Sequence, residues 1–349
     1  MPVMCNMDKI YKTLPDALLP WYYQNHRQLP WRGDREPYHI WLSEIMLQQT
    51  RVEAVRGYYA RFLEALPTIN ALANADDELL HKLWEGLGYY SRVRNLKKAA
   101  QVIEEKYGGV FPEDHSVVLS LPGIGPYTAG AICSIAFGMP TPAVDGNVLR
   151  VIARLTDDDA PADTPAFRKA VEKQLSSVYP KEAGDFTQAL MELGATVCGP
   201  NRAPDCADCP CKEFCRGKYR AASLPTRLPK RPKREEERTV FIVRCGDRIA
   251  LTKRPKTGLL AGLWQFPDVV GIFSGQEAID GAGKLGFAVS NLAFEVEKSH
   301  IFTHIIWKMR GIYLEASAQC PDYEWRTCDE IRDNAALPTA YRQFFDELE

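Results

Sequence analysis

With 349 residues and 46% hydrophobic content, the chain is long enough to build two ordinary cores. Its formal net charge of −2 gives no global sign of a nucleic-acid partner, so recognition of a polyanion has to rest on local clusters. The opening residues lack a basic start, an apolar run and a small-residue cleavage site, so the protein is expected to stay cytoplasmic.

Up to about residue 220 the chain reads as helical. After Pro37, the residues Tyr38, Trp41, Leu42, Ile45 and Met46 recur at helical spacing and form a strongly apolar stripe. Glu44 lies beside that stripe, with Ile40, Trp41 and Leu47 three or four positions away. Further amphipathic segments run from Leu79 to Leu83, Leu96 to Tyr107, Val148 to Leu155 and Phe167 to Val178. No internal repeat is visible.

Residues 116–144 carry no charge, yet Pro122, Pro126, Pro140 and Pro142 exclude a single membrane-spanning helix. Inside that stretch, LPGIGPYTAGAI reads as a tight hairpin that opens a small-residue helix. Gly123 and Gly125 allow positive φ and close approach of a ligand to the main chain, and Pro126 suits the first helical position. The free N–H groups at that helix start form an anion site, and a DNA phosphate is its natural occupant. A plain turn between core helices accounts for the motif equally well when it is taken alone.

Cys198, Cys206, Cys209 and Cys215, separated by seven, two and five residues, can wrap one metal centre. Four thiolates suit zinc or a [4Fe-4S] cluster, and the lack of two separated cysteine pairs leans toward iron and sulfur. Cys211 is a bystander or a substitute ligand. From Arg216 to Arg238 nine basic residues stand against three consecutive acids, and Pro225, Pro229 and Pro232 break the segment. It reads as an exposed linker able to follow a phosphate backbone. Beyond it TVFIV, RIALTKR and IIWKMRGIYLEA alternate like strands, and PTAYRQFFDELE returns to helix. The expected organisation is therefore a mostly α domain over 1–221, a basic linker over 222–238 and an α+β domain over 239–349.

Asp145 precedes a helix that starts near Asn147 and suits its N-cap. Desolvation beside Trp41 and Leu47 should raise the Glu44 pKa, whereas helix N–H groups should keep Asp145 ionised. One acid and one anion are what glycosidic cleavage needs, the first to protonate the leaving group and the second to face an oxocarbenium-like sugar.

WLSEIMLQQTRVEAV, LWEGLGYYSRVRNLKKAA, LPGIGPYTAGAI, VDGNVLRV and the cysteine loop together resemble the helix-hairpin-helix DNA glycosylases that carry an iron–sulfur cluster. Among these the chain is most similar to the adenine DNA glycosylase (MutY) family, over nearly its whole length. The resemblance implies removal of adenine mispaired with 8-oxoguanine or guanine in duplex DNA, after the base has swung out of the helix. It implies that Glu44 is the general acid and later the base for water, and that Asp145 stabilises the sugar cation or bonds to it, with Asn147 and Tyr127 in support. Trp31, Arg32, Leu47 and Gln188 match the adenine pocket. Gln49 and Tyr89 match residues that wedge into the helix, with Thr50 and Leu87 nearby. The four cysteines match the ligands of the [4Fe-4S] cluster, although the first interval is one residue longer than usual in the family.

A sister group with a β-lyase step places a lysine in the hairpin helix. Here Tyr127 stands there, and no lysine occurs between Lys106 and Lys169, so the resemblance implies a monofunctional enzyme. The second domain, through RPKTGLLAGLWQFP, resembles a Nudix-like reader without the glutamate-rich Mg²⁺ box. Phe302, Thr303 and His304 match its 8-oxoguanine loop, where serine is usual in place of Thr303. A monomer with no membrane association is expected. The rival readings are a glycosylase for mismatched thymine or oxidised pyrimidines, and a non-catalytic damage-binding protein.

Overall fold

Prolines, glycines and aspartates set the helix ends. The computed structural model describes residues 2–200, 203–229 and 232–348. Its helices are α1 (Pro2–Asn25), α2 (Pro37–Leu47), α3 (Val52–Ala65), α4 (Ile69–Asn74), α5 (Asp77–Leu83), α6 (Ser91–Tyr107), α7 (His115–Ser120), α8 (Pro126–Phe137), α9 (Gly146–Thr156), α10 (Pro165–Ser176) and α11 (Ala183–Thr196). Pro37, Pro126 and Pro165 open their helices, where a missing N–H removes no helical bond. Asp76, Asp114 and Asp145 cap α5, α7 and α9 through side-chain oxygens. The uncharged stretch 116–144 is thus divided among α7, a turn, α8 and an extended return, and among the described residues no helix is long and apolar enough to cross a membrane.

The chain divides into two units, Met1–Asn74 with Arg94–Pro229, and Ala75–Val93 with Lys230–Glu349. In the first, α1, α9, α10 and α11 bury Leu14, Leu18, Val148, Ile152, Phe167, Val171, Phe186 and Leu190 in a common core. Each such side chain contributes roughly 1.5–3 kcal/mol by leaving water. Small residues then decide how closely the helices approach. A Cβ on Gly130 of α8 would meet the Pro142 carbonyl oxygen at 2.1 Å, and one on Gly184 of α11 would fall 2.9 Å from the Ile135 Cα.

The second unit holds a mixed sheet of β1 (Arg234–Cys245), β2 (Arg248–Lys253), β3 (Trp264–Gln265), β4 (Asp268–Val270), β5 (Val289–Ile301), β6 (Ile305–Ala316) and β7 (Glu324–Thr327), with α12 (Gly275–Lys284), α13 (Cys328–Asn334) and α14 (Thr339–Phe345). The strand order is β3-β2-β1-β6-β5, with β4 on β1 and β7 on β2. β1 and β6 run parallel from Arg234↔Ile305 to Arg244↔Glu315, and the remaining pairs are antiparallel. Val240 and Ile242 face a core completed by Phe266, Trp307, Tyr341 and Phe344, while Phe241 and Val243 face a second core with Ala278, Ala282, Ile312 and Leu314. β1 is therefore covered on both faces, which is why Val240–Val243 form a continuous apolar run in place of the expected alternation.

Three features depart from the sequence reading. β1 begins at Arg234, so the last part of the expected linker is strand, and Lys230 and Arg231 of that linker lie outside the described residues. Residues 75–93, expected in the helical domain, group with the second unit, where Lys253 Nζ reaches Glu78 Oε1 at 2.5 Å and the Leu337 N–H donates to Glu85 Oε1 at 3.0 Å. β5 had no sequence signal, because it is a largely exposed strand whose pairing with β6 shifts register twice.

Candidate active site

Several elements of the first unit line one cavity of about 650 Å³: the turn Pro30–Arg32, α2 with the loop after it, the starts of α8 and α9, Arg168 of α10, and α11. That volume suits a small organic group. The cavity brings together Trp31, Arg32, Glu44, Leu47, Gln49, Thr50, Gly125, Tyr127, Asp145, Asn147 and Gln188.

Glu44 is 5% exposed on α2. Its Oε2 accepts from the Tyr127 hydroxyl at 2.5 Å. Burial pushes its pKa up to about 7, opposed by the Tyr127 hydrogen bond and raised further by the negative charge of Asp145. Asp145, at the N-cap of α9, accepts from the Val148 N–H at 2.8 Å and from Asn147 Nδ2 at 2.6 Å. These donors, expected to keep Asp145 ionised, do lower its pKa, but burial outweighs them and the pKa is raised, a shift that the cap alone does not predict. Tyr127 feels both carboxylates, which with its burial drive its own pKa well up and keep it a hydroxyl donor.

The glycines of the hairpin differ. Gly123 has φ of 77°, and a Cβ there would lie 2.6 Å from Asn95 Cβ, so both conformation and space demand glycine. Gly125 does not take the expected positive φ; its value is −97°, and a Cβ there meets nothing within 4 Å. Gln49 and Tyr89 do occupy the left-handed region, at φ of 58° and 48°, a conformation that side chains adopt at a cost.

Sequence reasoning missed Glu192 and Arg27 in the cavity lining. Glu192 is fully buried on α11, four residues after Gln188. Its Oε1 accepts from the Arg27 backbone N–H (3.0 Å) and Nε (2.7 Å), and its Oε2 from Arg27 Nη2 (2.9 Å) and Arg32 Nη2 (2.8 Å). Burial alone would raise its pKa, but the Arg27 hydrogen bonds and the Arg32 charge overcome it and bring the value down to about 2. The i,i+4 spacing from Gln188 was the available signal.

The four cysteines line a second, much smaller cavity, of about 20 Å³, together with Arg154. Arg154 Nη1 donates to the Cys198 carbonyl (3.1 Å) and lies 3.3 Å from its Sγ. Among the described residues no three His, Cys, Asp or Glu side chains converge on a single-ion site. A mononuclear zinc needs all four sulfurs within about 2.3 Å of one point. Thiols suit zinc or an iron–sulfur group, and these four would be the ligands of either. Cys211 is buried and does not line the cavity.

In the second unit Phe302, Thr303 and His304 form the tight turn joining β5 to β6, with Thr303 and His304 exposed. Lys233 Nζ donates to the Phe302 carbonyl at 2.7 Å, and the Arg234 N–H to that of His304 at 3.1 Å. This end of the basic segment holds the turn. The Tyr89 hydroxyl lies 3.1 Å from Thr303 Oγ1, and Leu87 is buried.

Residues 42–180 match the model of the HhH-GPD superfamily of base excision DNA repair proteins, and residues 239–347 that of the NUDIX domain. The chain is 36% identical to the adenine DNA glycosylase of Rattus norvegicus over 94% of this chain and 76% of that protein. It belongs to the adenine DNA glycosylase family. The Homo sapiens member is also 36% identical, over 94% of this chain and 72% of its own length. A solved thermostable thymine-DNA glycosylase superposes with a TM-score of 0.55 at 28% identity, covering 60% of this chain and 97% of that one. The helical unit thus carries the DNA glycosylase fold of the family, and the protein is an enzyme of DNA base excision.

Proposed function

We propose that the protein hydrolyses the N-glycosidic bond of adenine mispaired with 8-oxoguanine, or with guanine, in duplex DNA. The observation that carries this reading is a buried Glu44 bonded to Tyr127 in the same cavity as the half-buried Asp145. Two carboxylates sharing one site do not ionise together readily. Asp145 has two donors and the nearby Arg150 charge, so Glu44 keeps the shared proton at neutrality.

With the adenine extruded into the cavity, Trp31, Leu47, Arg32 and Gln188 enclose it. Glu44 protonates the ring and the glycosidic bond breaks toward a cationic sugar. Asp145, held by Asn147, faces that cation or bonds to it, and Glu44 then takes a proton from the attacking water. Gly123 and Gly125 hold the backbone phosphate, and Gln49 and Tyr89 support the gap in the stack beside Thr50 and Leu87. Among the described residues the cavity lining includes no lysine, which supports base release without strand cleavage. Phe302, Thr303 and His304 read the oxidised partner. Cys198, Cys206, Cys209 and Cys215 hold a [4Fe-4S] cluster, which pins the loop. The enzyme works as a monomer.

The test is single-turnover base release from duplexes carrying adenine opposite 8-oxoguanine or guanine, for wild type, Glu44→Gln and Asp145→Asn. Both variants should lose nearly all activity while still binding. Release of thymine instead of adenine from mismatched duplexes would move the reading to the mismatch-thymine branch, and tight binding with no release by wild type would make it a damage-binding protein.

A further inference from the structure

Glu192 has no part in the acid–base chemistry proposed above, yet it is fully buried in the cavity lining and takes four hydrogen bonds from Arg27 and Arg32. Four donors on two oxygens leave it little capacity to accept from a bound base, so it is not itself a purine contact. Its effect falls on the arginines. Arg32 is fixed at two points, through Nη1 to the Arg27 carbonyl (3.1 Å) and through Nη2 to Glu192, and its Cζ lies 5.7 Å from the centre of the Tyr22 ring. A guanidinium pinned in this way presents its remaining N–H groups in one orientation and cannot swing toward the carboxyl of Glu44.

We propose that Glu192 is a positioning residue of the active site, clamping Arg27 and Arg32 to the cavity wall and screening the Arg32 charge from the Glu44 carboxyl. This rests on the adenine-excision reading for its assay, and on geometry for its content. Arg32 is the cation that acts on Glu44, and the Glu192 carboxylate, 2.8 Å from that cation, cancels much of its field. The other ionisable groups that face Glu44 are Tyr127 from α8 and Asp145 from the start of α9, with Arg168 of α10 in the same lining. From α3 the cavity receives only Val52 among the described residues.

The test uses the full-length protein and single-turnover adenine release between about pH 5 and 9. Glu192→Gln removes the screen, so the alkaline limb, where Glu44 loses its proton, should move down by about one pH unit, and the rate at pH 8 should fall about tenfold. Adding Arg32→Met to Glu192→Gln should return the limb to the wild-type position or above. A purely structural role would lower the rate equally at every pH, so a folded Glu192→Gln with an unmoved limb overturns the proposal. If that variant loses its helical circular dichroism, Glu192→Asp decides. It keeps the charge with less reach, so it should keep the limb and lose plateau rate; a displaced limb would overturn the screen. Should wild type release no adenine, the functional reading fails separately. The clamp is then judged from the titration of the carboxyl infrared band that Glu44→Gln removes, which should midpoint lower in Glu192→Gln.

Discussion

Arg150 donates through Nη2 to Asn147 Oδ1 at 2.9 Å, and Asn147 in turn donates to Asp145 at 2.6 Å. The same guanidinium bonds the Gly194 carbonyl at 2.7 Å and, through Nε, the Cys198 carbonyl at 2.9 Å. One buried side chain therefore ties the site carboxylate to the first residue of the cysteine loop.

Replacing Arg150 with Leu leaves the Gly194 carbonyl and the Asn147 amide oxygen without this donor, and leaves the Cys198 carbonyl with Arg154 alone, in a site where Arg150 is only 3% exposed. Charged hydrogen bonds of this kind are each worth about 1.5–3 kcal/mol. We expect Arg150→Leu to lose about 3 kcal/mol or more of stability in urea unfolding, and adenine release by the surviving folded fraction to slow at least about tenfold. Wild-type midpoint and rate in this variant would show that the tie is dispensable.

The pH dependence follows from Glu44. As the acid it must be protonated, and its pKa is raised to about 7, so single-turnover release should be near its plateau below that value and fall about tenfold per unit above it. Removing the Tyr127 hydroxyl removes the hydrogen bond that lowers this pKa. Tyr127→Phe should therefore shift the alkaline limb upward while reducing the plateau. A limb that moves downward, or a flat profile across this range, contradicts the assignment of Glu44 as acid.

Much of this site was legible in the sequence because its parts are local. Pro126 opens α8, Asp145 caps α9, and Glu44 sits beside an apolar stripe on α2. The depressed pKa of Glu192 was not legible, since it depends on Arg27 and Arg32, some 160 residues away in sequence. The raised pKa of Asp145 was missed for a similar reason: a cap predicts hydrogen bonds, whereas burial depends on what packs over them. In the second unit TVFIV was read as a strand by alternation, although its burial proves two-sided, whereas β5 carries polar residues along an exposed strand and had no periodic signature. Residues 75–93 read as helical, and nothing local told which unit they join.

The glycines of α8 and its hairpin allow a separation of folding from binding. At Gly130 an added methyl would meet the Pro142 carbonyl, a backbone atom that cannot step aside. Gly130→Ala should cost about 3 kcal/mol or more, or prevent folding. At Gly125 the same methyl meets open space, so Gly125→Ala should change stability by less than about 0.5 kcal/mol. If its bare backbone faces a phosphate, the variant should still bind duplex DNA several-fold more weakly. Thermal melting and fluorescence anisotropy check the pair, and unweakened binding by Gly125→Ala would remove the hairpin from the DNA contact.

Thr303 stands where the family usually has serine, and its hydroxyl meets that of Tyr89 at 3.1 Å within the second unit. The methyl and the hydroxyl can be separated. Thr303→Ser keeps the hydrogen bond and should hold discrimination between 8-oxoguanine and guanine within about twofold of wild type. Thr303→Val keeps the shape, loses the bond and leaves the Tyr89 hydroxyl without it, which is worth about 1 kcal/mol. That corresponds to roughly a five- to tenfold loss in the ratio of kcat/KM for the two duplexes. Equal discrimination in Thr303→Val would remove this hydroxyl from the proposed lesion contact, and a loss in Thr303→Ser would assign the contact to the methyl.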